Sequence, residues 1–249
     1  MEDFGPVPES LLDFSPPPNT PPHFLVRHEG QRWVRKTLRD LNQRSRWHDR
    51  PFTWGFTIFR TVYTPESDET FPRAVEELNQ LARQYVFDDL RSRREPGQEP
   101  FDPRPNEELA RRFYCDIIQD AASLDGASPD EVGRRFDAWV AEHHLQPPQP
   151  VIKMGRFCVC IMLDQQGIDH FLQVNRAKRS FDRAQYDLYV KVVTEFSHEN
   201  EEGEDRLWMR VGIRGQLWSF AWDWPDMDIT EMGVEGETER IRNWYGWRC

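Results

Sequence analysis

Residues 53–63 run TWGFTIFRTVY, and no other stretch constrains the fold as much. Trp54, Phe56, Ile58, Arg60 and Val62 alternate with Gly55, Thr57, Phe59, Thr61 and Tyr63, and a period of two puts the two sets on opposite faces of a strand. Both sets are largely apolar, which predicts a central strand. Arg60 interrupts one of them. A guanidinium keeps its charge and is costly to bury alone, so this position needs a partner, either a carboxylate of the same chain or a bound anion. Thr64-Pro65-Glu66-Ser67 then breaks the strand. From Asp68 to about Arg91, Phe71, Val75, Leu78, Leu81, Ala82, Tyr85 and Val86 fall on one helical face.

Further along, Asn106 stands where it can cap a helix with the stripe Leu109, Phe113, Ile117 and Ala121. Ser128-Pro129-Asp130-Glu131 is a capping box with proline at the first helical position, opening a helix that turns Val132, Phe136 and Trp139 inward. Strands are predicted over 156–163, 186–196 and 206–213, with a short helix over 168–174 between the first two. The economical architecture is α+β: a mixed or antiparallel sheet of about four strands with helices packed on one side.

Three regions are expected. Residues 1–26 contain SPPPNTPP, which precludes a regular helix or central strand and predicts a disordered proline-rich leader. Residues 27–50 place Val34, Leu38 and Leu41 at helical spacing beside Trp33, with basic side chains around the rest, a basic amphipathic helix that docks either on the body of the chain or on a partner. Residues 51–249 form a single acidic α+β domain. The charge is split accordingly: 27–50 holds eight Lys or Arg against Glu29, Asp40 and Asp49, whereas 51–249 carries 24 basic and 36 acidic side chains. An acidic body repels phosphate backbones, so no nucleic-acid partner is expected.

No run of about 18 apolar residues occurs and the first residues are acidic, so neither a membrane span nor secretion is expected. Cys115, Cys158, Cys160 and Cys249 form no C-x-x-C pair and have no histidines at zinc-ligand spacing. They fit reduced thiols in a cytoplasmic or nuclear protein, with Cys158 and Cys160 on one side of a strand. No glycine-rich phosphate loop, nucleophile elbow or zinc-protease spacing is present, so no cofactor is expected. His143 and His144 sit where imidazolium favours a helix carboxyl end, and His170 has no neighbouring nucleophile. Asp223, Asp226, Asp228 and Glu231 form the densest carboxylate group, which fits a solvated acidic turn, a hard-cation loop or a source of partners for Arg60.

WGFTIFRTVY followed by a helix, then RFCVCIMLD and RLWMRV, resembles an abundant group of uncharacterised proteins from filamentous ascomycete fungi over residues 53–222. That resemblance implies a fungal, non-secreted origin and brings no activity. From the residues themselves the expected function is binding or interaction with a protein or small molecule, in a pocket lined by Trp54, Trp208, Trp218, Trp222 and Trp224, with Arg60, Arg210, Asp223 and Asp226 as polar contacts. The second reading is a cofactor-independent enzyme of fungal metabolism that uses Arg60 and the carboxylates. The oligomeric state is open.

Overall fold

The computed structural model describes residues 4–12, 32–44, 51–88, 90, 102–143, 155–176, 185, 187–194, 208–214, 217–218, 221 and 241–242. Its helices are α1 (Arg32–Arg44), α2 (Pro65–Asp88), α3 (Arg104–Arg111), α4 (Ala121–Leu124), α5 (Pro129–His143), α6 (Gly155–Cys158) and α7 (Gln165–Gln173). The strands are β1 (Thr57–Arg60), β2 (Asp116–Ile118), β3 (Val159–Leu163), β4 (Tyr189–Thr194), β5 (Trp208–Gly212) and the two-residue β6 (Ile241–Arg242). Contacts divide the chain into two units, one made of 1–53 with 82–113, the other of 54–81 with 114–249. This replaces the single domain expected over 51–249.

The second unit holds the sheet, in the order β2-β1-β3-β4-β5-β6. It is mixed: β1 lies parallel to both β2 and β3, β4 is antiparallel to β3 and β5, and β6 is parallel to β5. The α+β class and mixed sheet agree with the sequence, and β2 and β6 are the additions. β1 is central as expected, with all four residues buried. Because it is apolar on both sides, it needs cover on both sides. Phe59, Cys160, Met162 and Val193 pack against Phe136 and Trp139 of α5. On the opposite face Gly167 of α7 sits so close that a Cβ there would lie 2.9 Å from Leu163 Cδ1 and 3.9 Å from Val190 Cγ1. The helices therefore cover both faces, not one.

Local chemistry accounts for the helix starts. Ser128 N donates to Glu131 Oε2 at 2.7 Å and Glu131 N to Ser128 Oγ at 3.3 Å, which closes the capping box of α5. Thr64 and Ser67 do the same for α2, each main-chain N–H donating to the other's hydroxyl at 2.8 and 3.1 Å. Asp164 caps α7 by accepting from Gly167 N at 2.9 Å. At the end of α5, His143 Nδ1 lies 2.8 Å from Trp139 O, the carboxyl-end position expected of it. Cys158 belongs to α6, so it does not share a strand face with Cys160.

At the amino ends of the parallel strands lies a buried ion pair. Arg156 is 1% exposed; its Nη1 donates to Asp116 Oδ2 at 3.1 Å and its Nη2 to Tyr114 O at 2.7 Å. Thr57 Oγ1 donates to Arg156 O at 3.1 Å, so β1 is held between the two charged residues. Burial pushes the Cys115 thiol, next to Asp116, up to about 12.

The first unit contains α1, α3, the end of α2 and residues 4–12. Val34, Leu38 and Leu41 of α1 are buried, and Trp33 lies 5.5 Å from Tyr85. The basic helix is thus seated by its apolar stripe within its own unit. Residues 4–12 differ from the leader expected over 1–26: Glu9–Leu11 form a 3-10 turn, and Val7 and Leu11 are buried. Two apolar side chains between the prolines give this piece surface to bury, while the rest of the expected leader lies outside the described residues. Asn106 does not cap α3; its Nδ2 donates to Val86 O at 2.6 Å and satisfies a carbonyl near the end of α2. The stripe expected to run on through Ile117 stops as well, because α3 ends at Arg111 and Ile117 belongs to β2.

Arg112, 2% exposed, binds Glu108 together with the carbonyls of Gly5 and Phe52 at 2.9 and 3.1 Å. Desolvation works to raise the Glu108 pKa, but hydrogen bonds from Arg112 and Arg111 outweigh it and hold the carboxyl below its ordinary value.

Two measurements follow from these pairs. Arg156→Met leaves Asp116 buried without its cation and is expected to lower unfolding stability by about 3–5 kcal/mol, whereas pairing it with Asp116→Leu recovers most of that loss. Urea unfolding of the two variants checks this, and equal losses would contradict it. For Glu108 the folded pKa is depressed, so its contribution is complete above the ordinary carboxylate value of about 4.3 and is lost as pH falls through the folded value. Glu108→Gln should therefore flatten the acid limb of the first unit's stability below about pH 4.3, as followed by Tyr85 and Trp33 signals.

Candidate functional site

The order β2-β1-β3 makes the carboxyl ends of these strands the place to look for a site. From β1 the chain crosses to β2 on one side and later returns to β3 on the other, so the connections diverge between β1 and β3. In open sheets with parallel strands, ligands sit outside the carboxyl ends at such a divergence.

Arg60 closes β1. Its Nε donates to Val62 O at 2.8 Å, its Nη1 to Gln119 Oε1 at 3.2 Å and its Nη2 to Ser67 Oγ at 3.0 Å. Nη2 also makes an ion pair with Asp68. The guanidinium lies 4.6 Å from the Tyr63 ring centroid and 4.8 Å from that of Phe71. The partner demanded by the sequence is therefore local, in the first turn of α2. Asp68 is mostly solvated, 63% exposed against 7% for Arg60, so the aromatic rings and neutral acceptors hold the arginine as much as the charge does.

Around Arg60 the ends of β1 and β3 gather polar groups. Tyr63 OH donates to Arg60 O at 3.1 Å and accepts from Asp120 N at 2.8 Å, and burial raises the phenol above its ordinary value. Asp125 Oδ1 accepts from Tyr63 N at 3.2 Å, and Gly126 N donates to Thr61 O at 3.0 Å. Gly126 has φ +68°, a left-handed conformation that glycine adopts without strain, and this brings the loop onto the end of β1. At the end of β3, Asp164 Oδ2 pairs with Lys191 Nζ at 2.7 Å. The same ammonium lies 5.6 Å from the Trp208 ring. Lys191, Asp164 and Trp208 are all half-buried, with both polar and aromatic surface open to a ligand.

The residues proposed from sequence do not form one pocket. Trp54 and Trp218 are fully buried, and Trp218 packs on Phe56 at 6.3 Å. Trp208 packs against the Phe59–Phe136 cluster instead. Phe56 and Phe59 point to opposite sides by the strand's alternation, so Trp218 and Trp208 lie on opposite faces. Arg210 stacks on Tyr189 at 5.0 Å from β5, three strand spacings or about 14 Å from β1, and does not converge with Arg60. Trp222, Asp223 and Asp226, with Trp224, Asp228 and Glu231, lie outside the described residues. His170 Nδ1 lies 2.8 Å from Tyr189 O. Among the described residues no group of three His, Cys, Asp or Glu side chains is arranged to hold a metal ion.

Sequence reasoning missed Tyr63, Asp164 and Lys191 as a set. Asp164 had a signal, an aspartate between a strand and a helical run. Lys191 had none, because its role depends on the pairing of β4 with β3.

Compared with known protein families, curated proteins and solved structures, the chain matches none.

Because Asp68 is solvated, Asp68→Asn should cost under about 1 kcal/mol. Arg60→Ala, which empties the space between Tyr63 and Phe71 and removes the hydrogen bonds to Val62 O, Gln119 and Ser67, should cost about 2–4 kcal/mol. Thermal unfolding of both variants tests the ranking, and a larger loss for Asp68→Asn would mean that charge dominates.

Proposed function

We propose that this chain is a binding protein whose small-molecule ligand sits at the carboxyl ends of β1 and β3, against Tyr63, Asp164 and Lys191, with the Trp208 ring bordering the Lys191 ammonium from across β4. The strand order carries this reading. Two parallel strands whose connections leave in opposite directions form a crevice without covering it, and the polar groups at that end come from three separate elements. Trp208 supplies a flat apolar contact, while Lys191 and Asp164 supply one charge of each sign. A ligand with an aromatic or planar apolar body and a polar edge suits this set. The enzyme reading loses support because the cation on which it rests, Arg60, is engaged by Val62, Gln119, Ser67 and Asp68. A cytoplasmic or nuclear setting fits the buried Cys115, Cys158 and Cys160. No helix among the described residues is long and apolar enough to cross a membrane.

The test is a screen of small aromatic acids and amines against the full chain, with amide shifts as the readout. Shifts should cluster on Tyr63, Asp125, Asp164, Lys191 and Trp208. Lys191→Met should weaken the best ligand at least about tenfold while moving stability by under about 1 kcal/mol, since the pair it breaks is half-exposed. Hits whose shifts map elsewhere, or that survive Lys191→Met, would dismiss the site. Turnover of a hit would restore the enzyme reading.

A further inference from the structure

Residues Phe4–Leu12, FGPVPESLL, are held in the first unit by side chains that grip their main chain. Asn42 on α1 reads both main-chain groups of Val7: its Oδ1 accepts from Val7 N at 2.7 Å and its Nδ2 donates to Val7 O at 2.9 Å. A side-chain amide used in this way replaces a neighbouring strand and recognises any extended backbone. Three arginines take further carbonyls: Arg112 that of Gly5 at 2.9 Å, Arg35 that of Leu11 at 2.9 Å and Arg39 that of Leu12 at 3.4 Å. The Phe4 ring lies 5.2 and 5.3 Å from the guanidinium carbons of Arg111 and Arg112. Val7 and Leu11, four residues apart, are the buried anchors at 2% and 9% exposure.

The remaining residues suit the same purpose. Pro6 and Pro8 have no N–H to satisfy, and Pro8, at φ −57° and ψ 133°, is close to a polyproline II conformation. Glu9, exposed, is the only charged residue of the segment. The segment's own hydrogen bonds are those of one short turn, Leu11 N to Pro8 O at 3.0 Å and Leu12 N to Glu9 O at 2.8 Å. Main-chain groups read by side chains, a few apolar anchors and a preformed extended backbone are how a groove holds a peptide ligand, whereas an element integral to a core is held by its own ladder or helix bonds.

We propose that the surface of α1 and α3 is a peptide-recognition groove, occupied in cis by Phe4–Leu12, and that its exchangeable partner is a peptide of another protein with the pattern Pro-Val-Pro-x-x-Leu, extended through Pro-Val-Pro and turning before the leucine. The groove belongs to the first unit and does not rest on the ligand end proposed for the second. Tethering through residues 13–31 gives the cis segment a local concentration of order millimolar, so a partner must bind tightly or the segment must be released first.

Hydrogen exchange on the full chain and a labelled peptide of residues 1–12 test this. If the segment opens on its own, the Val7 and Leu12 amides exchange at least tenfold faster than those of Val34, Leu38 and Leu41 in α1. Equal rates for both sets would overturn the proposal. In the full chain carrying Val7→Asp, the segment is expected to leave the groove with the helical circular dichroism retained, and the labelled wild-type peptide should bind at least tenfold more tightly than it does to the unmodified chain. Adding Asn42→Ala should then remove at least tenfold of that affinity. A Val7→Asp chain that loses its helices, or one that keeps them and does not bind the peptide, shows the segment to be part of the core and overturns the groove.

Discussion

The ion pair of Arg156 with Asp116 settles more of the second unit than any other contact. Both groups are buried, and a buried charge without its counterpart is among the costliest errors a fold can contain. To satisfy it, the start of β3 must lie on one side of β1 and the start of β2 on the other, in the same direction. Thr57 completes the arrangement by bonding to the carbonyl of Arg156, so β1 enters the sheet between the two. Parallel strands cannot be joined by tight turns, and each junction therefore requires a crossover. Helical segments lie between β1 and β2 and between β2 and β3, as that requirement demands.

Arginine does related work elsewhere. Arg60 finishes β1 by bonding to the carbonyl of Val62, and Arg112 gathers the carbonyls of Gly5 and Phe52. In each case the guanidinium fork supplies donors where chain ends or turns leave acceptors that no ladder can reach. Each also has a carboxylate close in sequence or register: Asp68, Glu108 or Asp116. A chain rich in acid can thus bury arginines without drawing on distant parts of its surface.

How far the sequence foretold this depends on the range of the interactions involved. The capping box at Ser128, the helix after Thr64 and the two-sided apolar strand all rest on neighbours within a few residues, and they were legible. β2 was not: a three-residue strand has no period of its own, and Ile117 falls by chance on the stripe begun by Leu109 and Phe113. Residues 4–12 were hidden by their prolines, which announce irregular backbone and say nothing of whether Val7 and Leu11 find a groove. The tryptophans misled because aromatic content does not reveal which face of a sheet each ring occupies; Trp218 packs on Phe56 and Trp208 on the cluster of Phe59, which points the other way. The two-sided apolar strand already contained the argument for two layers of helix, since neither set of side chains can be left in water.

The seat of α7 has an evolutionary corollary. A Cβ at position 167 would lie 2.9 Å from Leu163 Cδ1, so any other residue there requires the helix or the leucine side chain to shift. Enlarging Gly167 first crowds the end of the Leu163 side chain, and trimming Leu163 first opens a void, so substitutions at the two positions are expected to be coupled. The two positions should drift only together, and Asp164, which starts the same helix and holds Lys191, is carried with them. Substitutions are therefore expected to be tolerated less at the junction of β3 and α7 than on the exposed surface around it.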